Sequence, residues 1–171
     1  SIAYISIEEG VYGIYVVNAS GGNRRTRIAS SRRTVPTGLT WSPDGEWITY
    51  NVANIIIRVR PNGRDNTQLT SASTNLRNIS PSWSPDGQFL VFHSTVANTP
   101  VLYRIRNDRP ILVQITDSDI AFELPSWSPK GDLIAAVGTE TQGNSADPLV
   151  RTGQNGRDLY VIEPDGENLR Q

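Results

Sequence analysis

The chain is predicted to be all-β, a β-propeller of about four blades, each a four-stranded antiparallel sheet. Three observations lead there. A five-residue stretch returns twice: Trp41-Ser42-Pro43-Asp44-Gly45, Trp83-Ser84-Pro85-Asp86-Gly87 and Trp127-Ser128-Pro129-Lys130-Gly131. Its spacings of 42 and 44 residues are those of a repeat. Short β-branched and aromatic runs recur in step with it, and no stretch sustains a helical period. Four antiparallel strands every 40–45 residues or so is the arithmetic of a propeller blade.

The repeated stretch is a hairpin corner. Ser, Pro, Asp and Gly occupy the four positions of a type I turn, and the Gly takes positive φ to close the hairpin. Lys130 stands at the third turn position, which accepts most residues. The Trp before each turn is an apolar anchor. After each turn comes a second strand: Ile48-Thr49-Tyr50, Leu90-Val91-Phe92, Ile134-Ala135-Ala136, with Ile2-Ala3-Tyr4 as a fourth copy. Each begins seven residues after its Trp, so the first copy is expected to open inside a repeat, past a turn that is not there.

The third strand is Ile14-Tyr15-Val16-Val17, Ile56-Ile57-Arg58-Val59, Leu102-Tyr103-Arg104-Ile105 and Leu159-Tyr160-Val161-Ile162. Asn, Asp, Gly and Pro follow every copy, as hairpin turns require. The fourth strand is Arg27-Ile28-Ala29, Gln68-Leu69-Thr70 and Gln114-Ile115-Thr116, with a fourth copy starting only at Gln171. The expected blades are therefore 1–30, lacking its inner strand, 37–70, 79–116, and 122–171, with an inserted loop at 139–156 and a truncated last strand. A single sheet of this size cannot cover its own apolar faces, and stacking blades does so. An arc of just under four blades leaves one such face at each end. Burial is worth roughly 25 cal/mol per Å², so a partial or half propeller is expected to self-associate into a closed ring.

These residues resemble the WD40-like repeat of TolB-type β-propellers: Trp-Ser-Pro-Asp-Gly, then an Ile-Ala-Phe/Tyr-like strand, then Ile-Tyr-Val-Val-Asn with a Gly-rich turn, then Leu-Thr. The resemblance spans essentially the whole chain. It implies that the Trp strand lines a central channel and the Leu-Thr strand lies outermost. It also implies a bacterial periplasmic or extracellular setting. The chain departs from the pattern at Leu39, where Pro81 and Pro125 stand in sister repeats, at Lys130, and at Asn107-Asp108-Arg109, which lacks a Gly.

Composition narrows the function. The 171 residues carry a net charge of −1 with both signs mixed, so nothing pulls the chain towards nucleic acid. There is no Cys, which excludes disulfides and Cys-based metal sites. There is no Met, so a processed protein or an excised piece is expected. No apolar run of 18 residues or so exists to insert into a membrane as a helix. No Gly-x-Ser-x-Gly elbow, Walker sequence or zinc motif is present. One His, His93, does not make a triad, and its place in the repeat suits packing or an interface. No catalytic residue, metal or cofactor is expected.

Function in a repeat is sought where the repeat breaks. The connection between second and third strands is longest in the fourth blade, and it emerges on the same side as the loops 30–38, 71–78 and 117–123. Loops on a rigid scaffold commonly carry binding. The candidate residues on this face are Arg32, Arg33, Arg77, Asn78, Asp117, Asp119, Glu123, Asp147 and Arg151. Arg24, Arg25, Arg27, Arg32 and Arg33 cluster, either as an anion patch or as charges that protect an edge strand. Asp117, Asp119 and Glu123 are a weaker Ca²⁺ alternative, lacking the ligand spacing of a known loop. The leading expectation is a non-enzymatic module that binds a protein, or less readily a ligand, through this face. The alternatives are the gating propeller of a prolyl oligopeptidase-like or tricorn-type serine peptidase, and a purely structural ring-forming repeat.

Overall fold

A computed structural model describes residues 1–21, 24–71, 76–96, 98–140 and 156–171. Among them every regular element is a strand, arranged in four antiparallel sheets. The first holds β1 (Ile2–Glu8), β2 (Val11–Val17) and β3 (Arg25–Ser31). The second holds β4 (Thr37–Trp41), β5 (Ile48–Val52), β6 (Ile55–Val59) and β7 (Thr67–Gln68). The third holds β8 (Asn78–Trp83), β9 (Phe89–Val96), β10 (Thr99–Arg106) and β11 (Leu112–Gln114). The fourth holds β12 (Ile120–Trp127), β13 (Ile134–Glu140) and β14 (Arg157–Ile162). Strands follow one another in order across each sheet, and β4, β8 and β12 neighbour one another along its inner side. This is a partial β-propeller.

Each Trp-Ser-Pro turn closes as the sequence predicts. Gly45, Gly87 and Gly131 have φ of 72°, 69° and 82°, and their N–H groups donate to the carbonyls of Ser42, Ser84 and Ser128 at 2.9, 2.9 and 3.0 Å. The Ser hydroxyl oxygen accepts from the backbone N–H five residues on, at Trp47, Phe89 and Leu133. The turns also pack side by side. A Cβ at Gly131 would meet the Pro85 ring at 3.6 Å.

The inner strands carry a bulge that periodicity does not reveal. Pairing of β4, β8 and β12 with the next strand slips between Thr37 and Thr40, Ile79 and Ser82, and Glu123 and Ser126. At each slip one residue has positive φ: Gly38 (60°), Ser80 (57°) and Leu124 (52°). The bulge accommodates Pro81 and Pro125 within strands, because the unpaired residue sits where no ladder hydrogen bond is needed.

The outermost segment has its own lock. Ile56 N–H donates to Thr70 Oγ1 at 3.0 Å and Leu102 N–H to Thr116 Oγ1 at 2.8 Å. The Gln68 and Gln114 amides donate to the carbonyls of those same Thr residues. In the fourth sheet Val161 bridges to Arg170, which brings Gln171 into the register of Gln68 and Gln114.

The core consists of three joints between sheets. Ile14 and Ile28 meet Ile48, Tyr50 and Val59; Ile56 and Leu69 meet Trp83, Leu90, Phe92 and Ile105; Val91, Leu102 and Ile115 meet Phe122, Ile134, Tyr160 and Ile162. The same positions are used each time, so the end sheets show the unmatched halves. Ile48, Leu90 and Ile134 are 0% exposed, whereas their counterpart Ile2 is 53% exposed. Ile14, Ile56 and Leu102 are 0% exposed, whereas Leu159 is 65% exposed.

Blade edges shift by one or two residues, with β3 reaching Ser31, β8 starting at Asn78 and β12 at Ile120, because ladder pairing extends the strands past their apolar runs, and the inserted loop is shorter than expected. Residues 139 and 140, expected in the inserted loop, belong to β13: Thr139 pairs with Ala121 on one side and Arg157 on the other. Two-sided pairing outweighs the loop-like composition that begins there. Residues 141–155 of that loop lie outside the described residues.

Candidate binding face

Strands alternate direction, so the β1–β2, β5–β6 and β9–β10 turns share one side of the arc with the β3–β4, β7–β8 and β11–β12 connections. Hydrogen bonds across the joints tie this side together. Asn78 Nδ2 donates to the Asn54 carbonyl in the preceding blade at 2.9 Å. Within the second sheet, Thr37 Oγ1 donates to Asn51 Oδ1 of the paired strand at 2.8 Å. Leu124 N–H, at the bulge of the fourth blade, donates to His93 Nδ1 of the third at 3.3 Å. His93 is 4% exposed, and burial holds its pKa below the ordinary imidazole value, with Glu123 opposing that shift.

The sequence-predicted residues divide on this frame. Arg32 and Arg33 are exposed in the β3–β4 connection, and Arg77 is exposed just before β8. Asp117 and Asp119 are exposed in the β11–β12 connection, where Asp117 Oδ1 accepts from the Asp119 N–H at 3.2 Å. Glu123, on β12, is half-buried and pairs with Arg157 Nη2 at 2.7 Å. Asn78 is 3% exposed and committed to Asn54, so it holds the joint and presents no surface. Asp147 and Arg151 lie outside the described residues.

Under the Arg32–Arg33 loop a cleft of about 230 Å³ opens between Ser31, Pro36, Tyr50 and Asn66. Sequence reading passed over this cleft, and over Arg157 as the partner of Glu123. The one available signal was opposite charge on the two strands that flank β13. Among the described residues no group of three or more His, Cys, Asp or Glu is placed to hold a metal ion, so Asp117, Asp119 and Glu123 form no such set. Among them, too, no helix is long and apolar enough to cross a membrane.

The Arg cluster also separates. Arg25 lies over the Tyr15 ring at 4.6 Å and pairs with Glu8, whose other oxygen accepts from the Tyr15 hydroxyl. The Tyr15 and Arg25 bonds hold the Glu8 carboxyl below its ordinary pKa. Arg25 thus covers the free face of the first sheet, while Arg32 and Arg33 stand on the loop side.

Fold and face together define a β-propeller segment with charged loops on a hydrogen-bonded frame. The chain belongs to the TolB β-propeller domain family, whose model matches residues 1–159. It is 30% identical over 136 residues to an uncharacterized protein of Agrobacterium fabrum, covering 77% of this chain and 44% of that one. A solved TolB-type protein of Agrobacterium tumefaciens superposes with a TM-score of 0.74 at 26% identity, over 98% of this chain and 59% of the other. TolB of Acinetobacter baumannii gives 0.73 at 20% identity, over 98% and 39%. The tricorn protease gives 0.70 at 10% identity, over 94% and 16%, a likeness of fold alone. The chain spans less than two thirds of each of these proteins.

Proposed function

We propose that this chain is a non-enzymatic TolB-like propeller module that binds a protein partner through its loop face, in a periplasmic or extracellular setting. The observation that carries the reading is the placement of Arg32, Arg33, Arg77 and Asp117. All four are exposed on one side of a frame whose second and third joints are hydrogen-bonded. Charges presented without rearrangement of the backbone suit recognition and partner steering. A catalytic reading finds less support, since the one His is buried against a backbone amide of the next blade.

The test is affinity capture from a bacterial envelope extract with the wild-type chain and with Arg32→Glu/Arg33→Glu/Arg77→Glu. The variant should lose the captured partner while keeping the wild-type melting temperature, because the three side chains are exposed. An identical captured set at equal yield would remove the loop face from the account.

The end faces support a second part of the same proposal. The face of Ile2, Tyr4 and Tyr15 is the counterpart of those the inner blades present to their predecessors. The face of Leu159 is the counterpart of those they present to their successors. A second copy of the chain supplies the missing half of each joint.

A further inference from the structure

The three joints are equivalent, and comparing them residue by residue singles out the last one on the side opposite the loop face. The first joint has Ser1, Val16, Trp41 and Pro61 there. The second has Trp47, Arg58, Trp83 and Asn107. The third has Phe89, Arg104, Trp127 and Pro164. These equivalences follow from the strand registers.

In the second joint the arginine is used by the fold. Arg58 lies over the Trp47 ring at 4.2 Å, and its guanidinium donates to both the carbonyl and the side-chain oxygen of Asn107. In the third joint Arg104 lies over the Phe89 ring at 4.8 Å, but Pro164 stands where Asn107 would be and offers no side-chain acceptor. No hydrogen bond or ion pair joins the Arg104 guanidinium to any other described residue. A cleft of about 450 Å³ opens here, lined by Asp86, Phe89, Arg104, Trp127, Lys130 and Pro164 among others. The Phe89 and Trp127 rings are near-parallel, 6.5 Å apart and 25° inclined. The first joint also has a Pro and a cleft, but Val16 and Ser1 leave it without a guanidinium and without a second aromatic ring beside Trp41.

The same cleft receives the residue that breaks the repeated turn. Asp44 and Asp86 close their own turns, each accepting from the Ser hydroxyl and from a backbone N–H two residues on. Lys130 replaces that Asp, and the Ser128 hydroxyl donates instead to Asp132 Oδ1 at 2.7 Å. The turn keeps its bond, and a second cation is delivered to the cleft. Asp86, the acid on its wall, is already engaged by Ser84 and Gln88.

We propose that this joint is a second binding site, for an aromatic carboxylate whose ring lies against Phe89 and Trp127 and whose carboxylate meets Arg104 and Lys130. An unpartnered guanidinium beside an ammonium favours a planar anion, and the ring faces favour a flat apolar body. Two sources share this chemistry: a free aromatic acid, and the C-terminal aromatic residue of a peptide. The probes are benzoate, acetyl-Gly-Gly-Phe with a free carboxylate, and the same peptide as its amide. Binding to the 171-residue chain is read from amide and indole ¹H–¹⁵N shifts. Saturable shifts at the Trp127 indole and Gly131, at least tenfold weaker for the amide, are expected. A tighter tripeptide assigns the peptide source, and a tighter benzoate the free acid. Pro164→Asn, which gives Arg104 the acceptor that Arg58 has, should abolish the shifts, and Lys130→Asp should weaken them at least threefold. Pro164→Asn only restores a residue the second joint already carries, so a folded variant is expected and its spectrum shows whether it folds. No saturable shift with any probe, equal binding of acid and amide, or wild-type binding by folded Pro164→Asn overturns the site.

Discussion

Single residues decide whether a repeat unit closes. Asp132 is held below its ordinary carboxyl pKa by the Ser128 hydroxyl, the bond that Asp44 receives from Ser42 in its own turn. Asp132→Ala should therefore lower the melting temperature, and adding Lys130→Asp should restore it by returning the acceptor to its repeated place. A double variant no more stable than the single would contradict this exchange. The sequence shows Lys130 as a departure but does not show that Asp132 compensates, because the compensation is a side-chain bond across four positions. His93 gives a pH prediction. Its folded-state pKa is depressed by burial, so the unfolded chain takes up the proton first as pH falls. Stability is complete above the unfolded value of about 6.5 and declines as pH drops through it towards the folded value. Melting scans between pH 7 and 5 should show that decline, and His93→Asn, the residue of the sister position Asn51, should flatten it. An unchanged pH profile would sink the assignment.

At the scale of elements, the Leu-Thr segment was legible as a strand but not as a cap. Thr116 Oγ1 accepts from a buried backbone N–H that nothing else serves once the hydroxyl is gone. Thr116→Val should cost about 1–3 kcal/mol in urea unfolding, the range for orphaning a buried donor. The exposed Thr67→Val should cost far less, and equal losses would refute the cap. The strands of all four sheets were readable because β-branched and aromatic runs recur at a fixed period, with turn residues between them. The bulges at Gly38, Ser80 and Leu124 were not, because Ser and Leu give no local warning of positive φ. The candidate site was legible only in part. Exposed charges such as Arg32 and Asp117 stand where the strand alternation places them. Asn78 was misjudged because its burial depends on the Asn54 carbonyl in another blade, a contact that no spacing along the chain encodes.

The whole molecule is a set of matched joints with an unmatched half at each end. The sequence predicts the open ends from the repeat count, and the structure gives them faces. On one side is Ile2, beside the stacked Tyr4 and Tyr15 rings 5.6 Å apart; on the other is Leu159. The central claim is that these halves complement each other as the inner joints do. It is tested most directly by light scattering on a sizing column, across a dilution series, with the wild-type chain and with Leu159→Glu. The account predicts that wild type rises from 18.8 kDa towards at least twice that mass with concentration, while Leu159→Glu stays at 18.8 kDa. Wild type holding 18.8 kDa at every concentration, or Leu159→Glu associating as wild type does, would contradict it.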